Sequence, residues 1–152
     1  SRIIKYGRDR VLVDGGLVGD SVIYRHACKL AAKADRVVLV SQYCPTGKLG
    51  RLIKAVPHAF YFNPPENASG LNALLIRASM MSSRTRTLYR RKLYLHAKVI
   101  IFYLPGGRKV AITGSHNFVR GGVSLGTREI ALQTRNPRLI EQIERFITER
   151  VR

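Results

Sequence analysis

Several residue types are scarce in this chain, and each scarcity argues against a class of protein. The 152 residues include two cysteines, no tryptophan and nine acidic residues. Two cysteines are too few for a disulfide framework or a cysteine-ligated zinc site, and neither belongs to a CxxC pair. Cys28 falls within a helical pattern, so we expect it to be buried and unreactive. No apolar run approaches the roughly 20 residues that a membrane-spanning helix needs.

The shortage of acidic residues leaves a strong positive charge. Twenty-seven lysines and arginines stand against nine aspartates and glutamates, for a net charge of +18. A domain of this size with such an excess repels itself and more often has an anionic partner. Nucleic acid, an anionic membrane surface and a phosphate-bearing substrate all fit, and charge alone does not choose among them.

The length of 152 residues suits one domain with a substantial core and is short for two. The first residues, Ser1, Arg2 and Ile3, include no initiator methionine and form no signal-peptide pattern. We therefore expect a single domain over residues 1–152 that is a piece of a longer protein. Its cellular location stays open between the cytoplasm and a membrane surface.

Strand-like and helix-like segments alternate along the chain. Asp20 is a suitable N-cap for the first helix, and Asn136 with Pro137 suits the start of the last. The alternation, with continuous apolar strands, predicts an α/β fold whose mixed, largely parallel sheet is flanked by helices. Strands are predicted at 10–14, 36–42, 58–63, 98–104, 109–113 and 128–134, helices at 21–34, 45–56, 69–81 and 137–150, and a basic loop at 82–92.

One stretch combines apolar runs with polar residues in an unusual way. Residues 94–118 read YLHAKVIIFYLPGGRKVAITGSHNF, and the Pro-Gly-Gly turn between two apolar runs predicts a hairpin. His96 and Lys98 precede the first run, while Ser115 and Asn117 follow the second. In an extended chain residues i and i+2 project to the same side, so the hairpin would bring these side chains together. A cation, two hydrogen-bonding groups and a nucleophilic imidazole suit a phosphate group.

These residues resemble the HxK…GSxN signature of the phospholipase D superfamily. The match is close from Tyr94 to Thr134, where GTREIAL (126–132) resembles the acidic strand that follows the motif in that family. Upstream, residues 34–53 are similar, more loosely, to the strand and helix that precede it. The resemblance implies a phospholipase D-like α/β/α sandwich and a reaction through a phosphohistidine intermediate that needs no metal or other cofactor.

The resemblance also assigns roles to individual residues. His96 corresponds to the histidine that attacks phosphorus, and Lys98 to the lysine that holds the phosphoryl oxygens. Ser115 and Asn117 correspond to the pair that orients the phosphate, and Asn117 with Lys98 would stabilise the transition state. Glu129 resembles the glutamate that hydrogen-bonds a catalytic histidine and fixes its tautomer.

The chain departs from the family pattern in two places. Tyr103 stands where HxKxxxxD has aspartate, which leaves open a degenerate, inactive copy. The family's active site uses two HxK motifs and this chain has one, because His26, His58 and His116 supply no other. Strand alternation is expected to point His116 away from the site. The expected partner is a second motif-bearing half, either another copy in a homodimer or a missing N-terminal half.

Three functions follow from these features. The first is a phosphodiesterase or phosphatidyltransferase acting on phospholipid, because SQYCPTGKL (41–49) resembles cardiolipin-synthase-like members. The alternative within the superfamily is a metal-independent endonuclease, since basic members with one motif often are nucleases. The third is a non-catalytic module that binds polyanions. Five basic residues are expected to border the site and contact an anionic phospholipid surface or nucleic acid: Arg84, Arg86, Arg90, Arg91 and Lys92.

Overall fold

The computed structural model describes residues 1–118 and 126–152. Within them, strands β1 to β7 form one sheet in the spatial order β1-β2-β7-β6-β5-β3-β4. Short 3₁₀ turns lie at Pro65–Asn67 and Pro105–Gly107, and a π-helical turn, Ile147–Val151, continues the last helix. The strands are β1 Arg2–Tyr6, β2 Asp9–Val13, β3 Arg36–Val40, β4 His58–Tyr61, β5 Val99–Tyr103, β6 Lys109–Gly114 and β7 Ile130–Thr134. The helices are α1 Val22–Ala31, α2 Gly47–Lys54, α3 Gly70–Ser83 and α4 Pro137–Phe146.

The α/β class and the mixed sheet are confirmed, but the expectation of largely parallel strands is wrong. Among the described strands, β3 and β4 form the one parallel pair, joined through α2, and the other five pairs are antiparallel. A helix that connects two strands gives a parallel pair where those two strands become neighbours in the sheet, as β3 and β4 do. After α3 the chain instead enters β5 antiparallel to β3.

Strand β1 is absent from the sequence prediction. All five of its residues are exposed, so they provide no alternation of buried and exposed positions from which a strand could be inferred. Its pairing with β2 is a property of the folded sheet.

Apolar side chains fill both faces of the central strands. On one face Leu12, Leu39 and Ile100 pack with α1 and α2. On the other face α4 and the π-helical turn contribute Ile140 and Ile147. No helix within residues 1–118 and 126–152 has the length and hydropathy needed to cross a bilayer.

The sequence pattern of the last helix predicts that Phe146 faces the core together with Ile140, Ile143 and Ile147. This prediction is wrong for Phe146, because its side chain is 40% exposed. It lies about 120° around the helix from Ile140, whereas Ile147 lies almost above Ile140 two turns later. Ile143 is partly buried against the same cluster. Phe146 therefore sits on the flank of α4.

The helix starts follow local capping chemistry. Asn136 accepts a hydrogen bond from the Arg138 backbone N–H at 3.0 Å with Pro137 in the first turn, as predicted. Ser21, not Asp20, caps α1 by accepting from the Tyr24 N–H at 3.1 Å. Both residue types are good caps, and Asp20 instead pairs with Arg25.

Candidate active site

Three neighbouring strands bring polar residues to one edge of the sheet. His96 and Lys98 directly precede β5, Ser115 directly follows β6, and Glu129 directly precedes β7. Because these strands are antiparallel neighbours, the start of β5, the end of β6 and the start of β7 coincide at one edge. The hairpin predicted from the sequence therefore brings His96, Lys98 and Ser115 together.

These residues open into a groove of about 940 Å³ between the sheet and α4. His96 and Ser115 are exposed, and Lys98 and Glu129 are half-buried. The opposite wall is largely apolar and comes from β7 and α4. It includes Leu132, Leu139, Ile143 and Phe146. An imidazole, an ammonium group and a carboxylate thus face a cavity that is open to solvent.

Lys98 supplies a positive charge to this groove. Its Nζ donates a hydrogen bond to the His96 carbonyl oxygen at 3.0 Å. Partial burial lowers the pKa of Lys98, and the carboxylate of Glu129 opposes that effect. A partly desolvated ammonium interacts more strongly with an anion than one fully in water.

Ser115 and Glu129 form a hydrogen-bonded pair. The Ser115 hydroxyl donates to the Glu129 carboxylate and accepts from the Ile130 N–H at 3.0 Å. In the described part of the chain the Glu129 carboxylate accepts from Ser115 and no hydrogen bond joins it to His96, so its role in fixing a histidine tautomer stays a prediction. Over the same residues, no three His, Cys, Asp or Glu side chains lie together as a possible metal site.

Gly114 is required where β6 and β7 approach each other. A Cβ at this position would lie 2.6 Å from the Ala131 Cα, closer than such atoms come in proteins. Glycine therefore permits the close pairing that holds Ser115 beside Glu129.

The structure does not bring Asn117 into the groove with the other four residues. Its side-chain oxygen accepts from the Gln42 backbone N–H at 3.3 Å, and its Nδ2 donates to the Gln42 side chain at 3.2 Å. The Ser41 hydroxyl donates to the Asn117 carbonyl oxygen at 2.7 Å. Asn117 thus ties the segment after β6 to the end of β3, and its role at a phosphate stays a prediction.

His116 points into the core, as predicted from strand alternation. It is 2% exposed, and its Nδ1 accepts from the Phe118 N–H at 2.8 Å. Burial lowers its pKa, against the raising effect of the Glu129 and Asp14 carboxylates. A buried neutral ring of this kind is part of the packing beneath the site.

Tyr103, which replaces the motif aspartate, lies at the far end of β5, roughly 17 Å along the strand from Lys98. Its hydroxyl donates to the Glu144 carboxylate at 2.7 Å, and the Arg36 guanidinium lies 3.9 Å from its ring centre. Burial and the Glu144 carboxylate raise the pKa of Tyr103 to about 12. The substitution therefore changes how β5 is tied to α4 and removes no group from the groove.

The basic segment is attached to the sheet and lies outside the groove. Thr87 and Tyr89 are buried, and the Leu88 N–H donates to the Phe60 carbonyl oxygen of β4 at 2.9 Å. The Arg91 guanidinium donates to the Arg152 carbonyl oxygen at 2.8 Å. None of the five predicted basic residues is among the residues that line the described groove. Their contact with substrate stays a prediction.

Sequence reasoning missed Gln42 as a site residue. It follows β3, whose end lies at the same edge as the start of β5. Its Nε2 donates to the Tyr94 hydroxyl at 2.8 Å while its backbone and side chain hold Asn117. The available signal was a polar side chain directly after a buried strand.

Comparison with protein-family models and with curated proteins finds no match. Solved structures do match. Nuc from Salmonella typhimurium, described as a phospholipase D family member, is 15% identical with a TM-score of 0.59, over 93% of this chain and 92% of that chain. NucT from Helicobacter pylori is 13% identical with a TM-score of 0.60, over 93% of each chain.

A larger protein contains the same fold as one part. Polyphosphate kinase from Porphyromonas gingivalis is 15% identical with a TM-score of 0.57, over 91% of this chain and 23% of that chain. The chain thus has the fold of phospholipase D family members, and the resemblance seen in the motif is confirmed at the level of fold.

Proposed function

We propose, from the fold shared with phospholipase D family members, that this chain is a phosphodiesterase whose nucleophile is His96. One observation carries the proposal: His96, Lys98, Ser115 and Glu129 line a single open groove at one edge of the sheet. This set supplies a nucleophile, a cation and oriented hydrogen-bonding groups around one space that suits a phosphate.

The first chemical step is attack by an imidazole nitrogen of His96 on phosphorus. A P–N bond forms, and the P–O bond to the leaving group breaks. The leaving oxygen takes a proton from a second histidine. Lys98 stabilises the negative charge on the phosphoryl oxygens, and the Ser115 hydroxyl contributes a hydrogen bond.

The second step releases the product from the phosphohistidine. Water or an alcohol attacks phosphorus, its proton passes to the second histidine, and the P–N bond breaks. Attack by water completes hydrolysis, and attack by a lipid alcohol completes transfer.

The second histidine comes, in this proposal, from another motif-bearing half, either a second copy of this chain or another part of a longer polypeptide. Exposed apolar side chains around the groove support such a partner. Ile130 is 56% exposed and Leu132 40%. A second half that packs on these two residues would bring its histidine to the groove and leave Leu139 and Phe146 open to substrate.

Phospholipid is the proposed substrate, and the apolar wall of the groove is the feature that favours it. Leu139, Ile143 and Phe146 offer contacts that suit the hydrocarbon part of a lipid better than a ribose. The net charge of +18 favours the endonuclease as second candidate. The non-catalytic polyanion-binding module is the third.

The test compares substrates on the wild type and His96→Ala. Phosphatidylglycerol in detergent micelles, single-stranded DNA and double-stranded DNA are each incubated with both proteins, and products are resolved by mass. We expect lipid turnover by the wild type alone. Cleavage of DNA without lipid turnover would replace this proposal by the nuclease. Binding without product from any substrate would favour the non-catalytic module.

A further inference from the structure

Helix α3 exposes the side chains that a helix normally buries. Leu71 is 71% exposed, Leu74 62%, Leu75 47% and Met81 79%. Such large apolar side chains grouped on one element indicate a surface that something covers.

These residues form one continuous stripe along the helix. Leu71, Leu74, Leu75, Ala78 and Met81 are spaced i, i+3, i+4, i+7 and i+10, which places them on one side of α3. We call them the apolar stripe. The opposite side already packs on the protein through Ile76, which is fully buried, and Met80. The helix is therefore apolar on two sides, and the fold uses one of them.

Positive charge accompanies the apolar stripe, on α3 and on the segment that follows it. Arg77 lies on α3 itself, and Arg84 caps its C-terminus. The segment that follows presents Arg86, Arg90 and Lys92, all exposed. The sequence has no acidic residue between Glu66 and Glu129. The apolar stripe and these basic residues therefore complement a surface that is both apolar and anionic.

Side-chain contacts link this helix to the active-site edge. The Tyr43 hydroxyl donates to the Asn72 side-chain oxygen of the first turn of α3 at 3.0 Å. The neighbouring Gln42 holds Asn117. Close to the start of α3, Asn67 Nδ2 donates to the Leu93 carbonyl oxygen at 3.4 Å, and Leu93 is 80% exposed three residues before His96.

Charge and composition disfavour the other occupants. A second copy placed on the apolar stripe would bring the basic residues of the two copies together, and this repulsion costs free energy. A single-stranded nucleic acid would need several aromatic side chains for base stacking, whereas α3 contains none and the segment 84–94 exposes one, Tyr94. Leucines beside arginines instead suit the interface of an anionic membrane, where apolar side chains contact acyl chains and cations contact lipid phosphates.

We propose that α3 and the segment 84–94 dock this protein on an anionic lipid bilayer. The apolar stripe enters the boundary between headgroups and acyl chains, and the arginines contact lipid phosphates. At about 21 Å, α3 lies in the plane of the surface and does not cross it. The identification of lipid phosphodiesters as the substrate delivered to His96 rests on the proposed function, whereas the docking does not.

The absence of tryptophan makes the test direct. A single reporter is introduced by Leu74→Trp, with Leu71→Trp as a second reporter should the first fail to fold. The control is Tyr6→Trp, because Tyr6 is 82% exposed and belongs to β1. Strand β1 is the outermost strand on the side of the sheet away from β4. Vesicles contain phosphatidylcholine alone or with an equal part of phosphatidylglycerol, and some carry brominated acyl chains.

With anionic vesicles we expect the emission of Leu74→Trp to move to shorter wavelength and to be quenched by the brominated chains. Neutral vesicles should have a much smaller effect, and Tyr6→Trp should stay unchanged. Three results would overturn the docking surface. The first is no shift of the emission with anionic vesicles, and the second is an equal shift for Tyr6→Trp. The third is a shift of the Leu74→Trp emission to shorter wavelength without vesicles, when the protein concentration is raised or single-stranded DNA is added.

A second variant separates docking from chemistry. Leu71→Gln combined with Leu74→Gln should weaken binding to anionic vesicles by about tenfold or more, because two large apolar groups no longer enter the membrane. Turnover of the soluble substrate bis(p-nitrophenyl) phosphate should stay at the wild-type rate. Unchanged vesicle binding contradicts the docking. If neither the wild type nor the variants turn over the soluble substrate while the tryptophan reporter still docks, the proposed chemistry fails for this chain by itself and the docking stands.

Discussion

At the scale of single residues, the groove depends on side chains whose surroundings differ sharply. His96 is exposed and free to approach a substrate, whereas His116 is buried and holds the Phe118 N–H. Lys98 lies between them in burial and is near the Glu129 carboxylate. Both histidines lie near the same edge of the sheet, and the direction of the side chain, outward for His96 and into the core for His116, separates the proposed nucleophile from a packing histidine.

Replacing the proposed nucleophile gives the first prediction. His96→Ala should lower turnover of bis(p-nitrophenyl) phosphate by about 10³-fold or more, because no other group forms the P–N bond. Release of p-nitrophenol measures it, and His58→Ala is the matched control because His58 is also exposed but does not line the groove. Addition of EDTA should leave the wild type unaffected. Activity that survives His96→Ala, or that EDTA removes, contradicts the assignment.

Tyr103 gives a prediction on pH. Folding raises its pKa from 10.0 to about 12, so the neutral hydroxyl is favoured in the folded state. The stability it contributes is fully present below pH 10.0 and is lost as the pH rises through about 12. The difference in Tm between the wild type and Tyr103→Phe should therefore be constant at neutral pH and shrink between these values. Thermal unfolding in matched buffers measures it.

Activity supplies the control for the same substitution. Because Tyr103 lies at the far end of β5 and contacts Glu144, Tyr103→Phe should leave turnover of the soluble phosphodiester unchanged. If the Tyr103→Phe variant is fully folded and still loses most of its turnover, Tyr103 affects the groove and this prediction is wrong.

At the scale of elements, the segment after α3 acts as an additional border of the sheet. The Thr87 hydroxyl accepts hydrogen bonds from the Phe62 N–H at 2.9 Å and the Tyr89 N–H at 3.0 Å, and it donates to the Phe62 carbonyl oxygen. One buried side chain therefore holds the basic segment beside the continuation of β4. Its arginines project from a fixed backbone, which makes their arrangement a surface feature and not a flexible tail.

The attachment of this segment gives the third prediction. Thr87→Val removes the hydroxyl and leaves buried backbone groups without partners, so the free energy of unfolding should fall by about 1–3 kcal/mol. Urea unfolding followed by circular dichroism measures the loss. Thr85→Val is the control, since Thr85 is only half-buried and its hydroxyl donates to the Ser83 carbonyl oxygen at 3.1 Å. Equal effects of the two substitutions would argue against the attachment.

At the scale of the whole molecule, charge and exposed apolar surface point to partners. A net charge of +18 with 27 basic residues opposes nonspecific self-association. The groove and the apolar stripe of α3 nevertheless leave large apolar side chains exposed. We expect a second motif-bearing half to pack beside the groove and the apolar stripe to meet the membrane.

Mixing of variants tests the second half when the partner is another copy. If each complete site needs His96 from two copies, an equal mixture of wild type and His96→Ala is compared, after exchange to equilibrium, with wild type at the same total protein concentration. The mixture should retain about a quarter of the activity. Only dimers of two wild-type chains are then active. Light scattering should show the dimer. Retention of half the activity, or a fully active monomer, contradicts a site shared between two copies.

Much of the site followed from sequence because its geometry is local. His96, Lys98 and Ser115 belong to one hairpin, and the pairing of Val99 with Thr113 follows directly from the turn between β5 and β6. Alternation of side chains then determines which residues share a face. The same local logic gave the capping of α4 by Asn136 and the direction of His116 away from the groove.

Long-range contacts decided the rest. Asn117 bonds to Gln42, 75 residues earlier, and Tyr103 bonds to Glu144, 41 residues later. Neither contact has a periodic signal, because each depends on which strands and helices become neighbours. The direction of β5 beside β3 and the exposure of the apolar stripe on α3 depend on the same choice. The sequence by itself therefore determined the chemistry carried by one hairpin, and the tertiary structure decided what surrounds it, since only folding brings distant segments into contact.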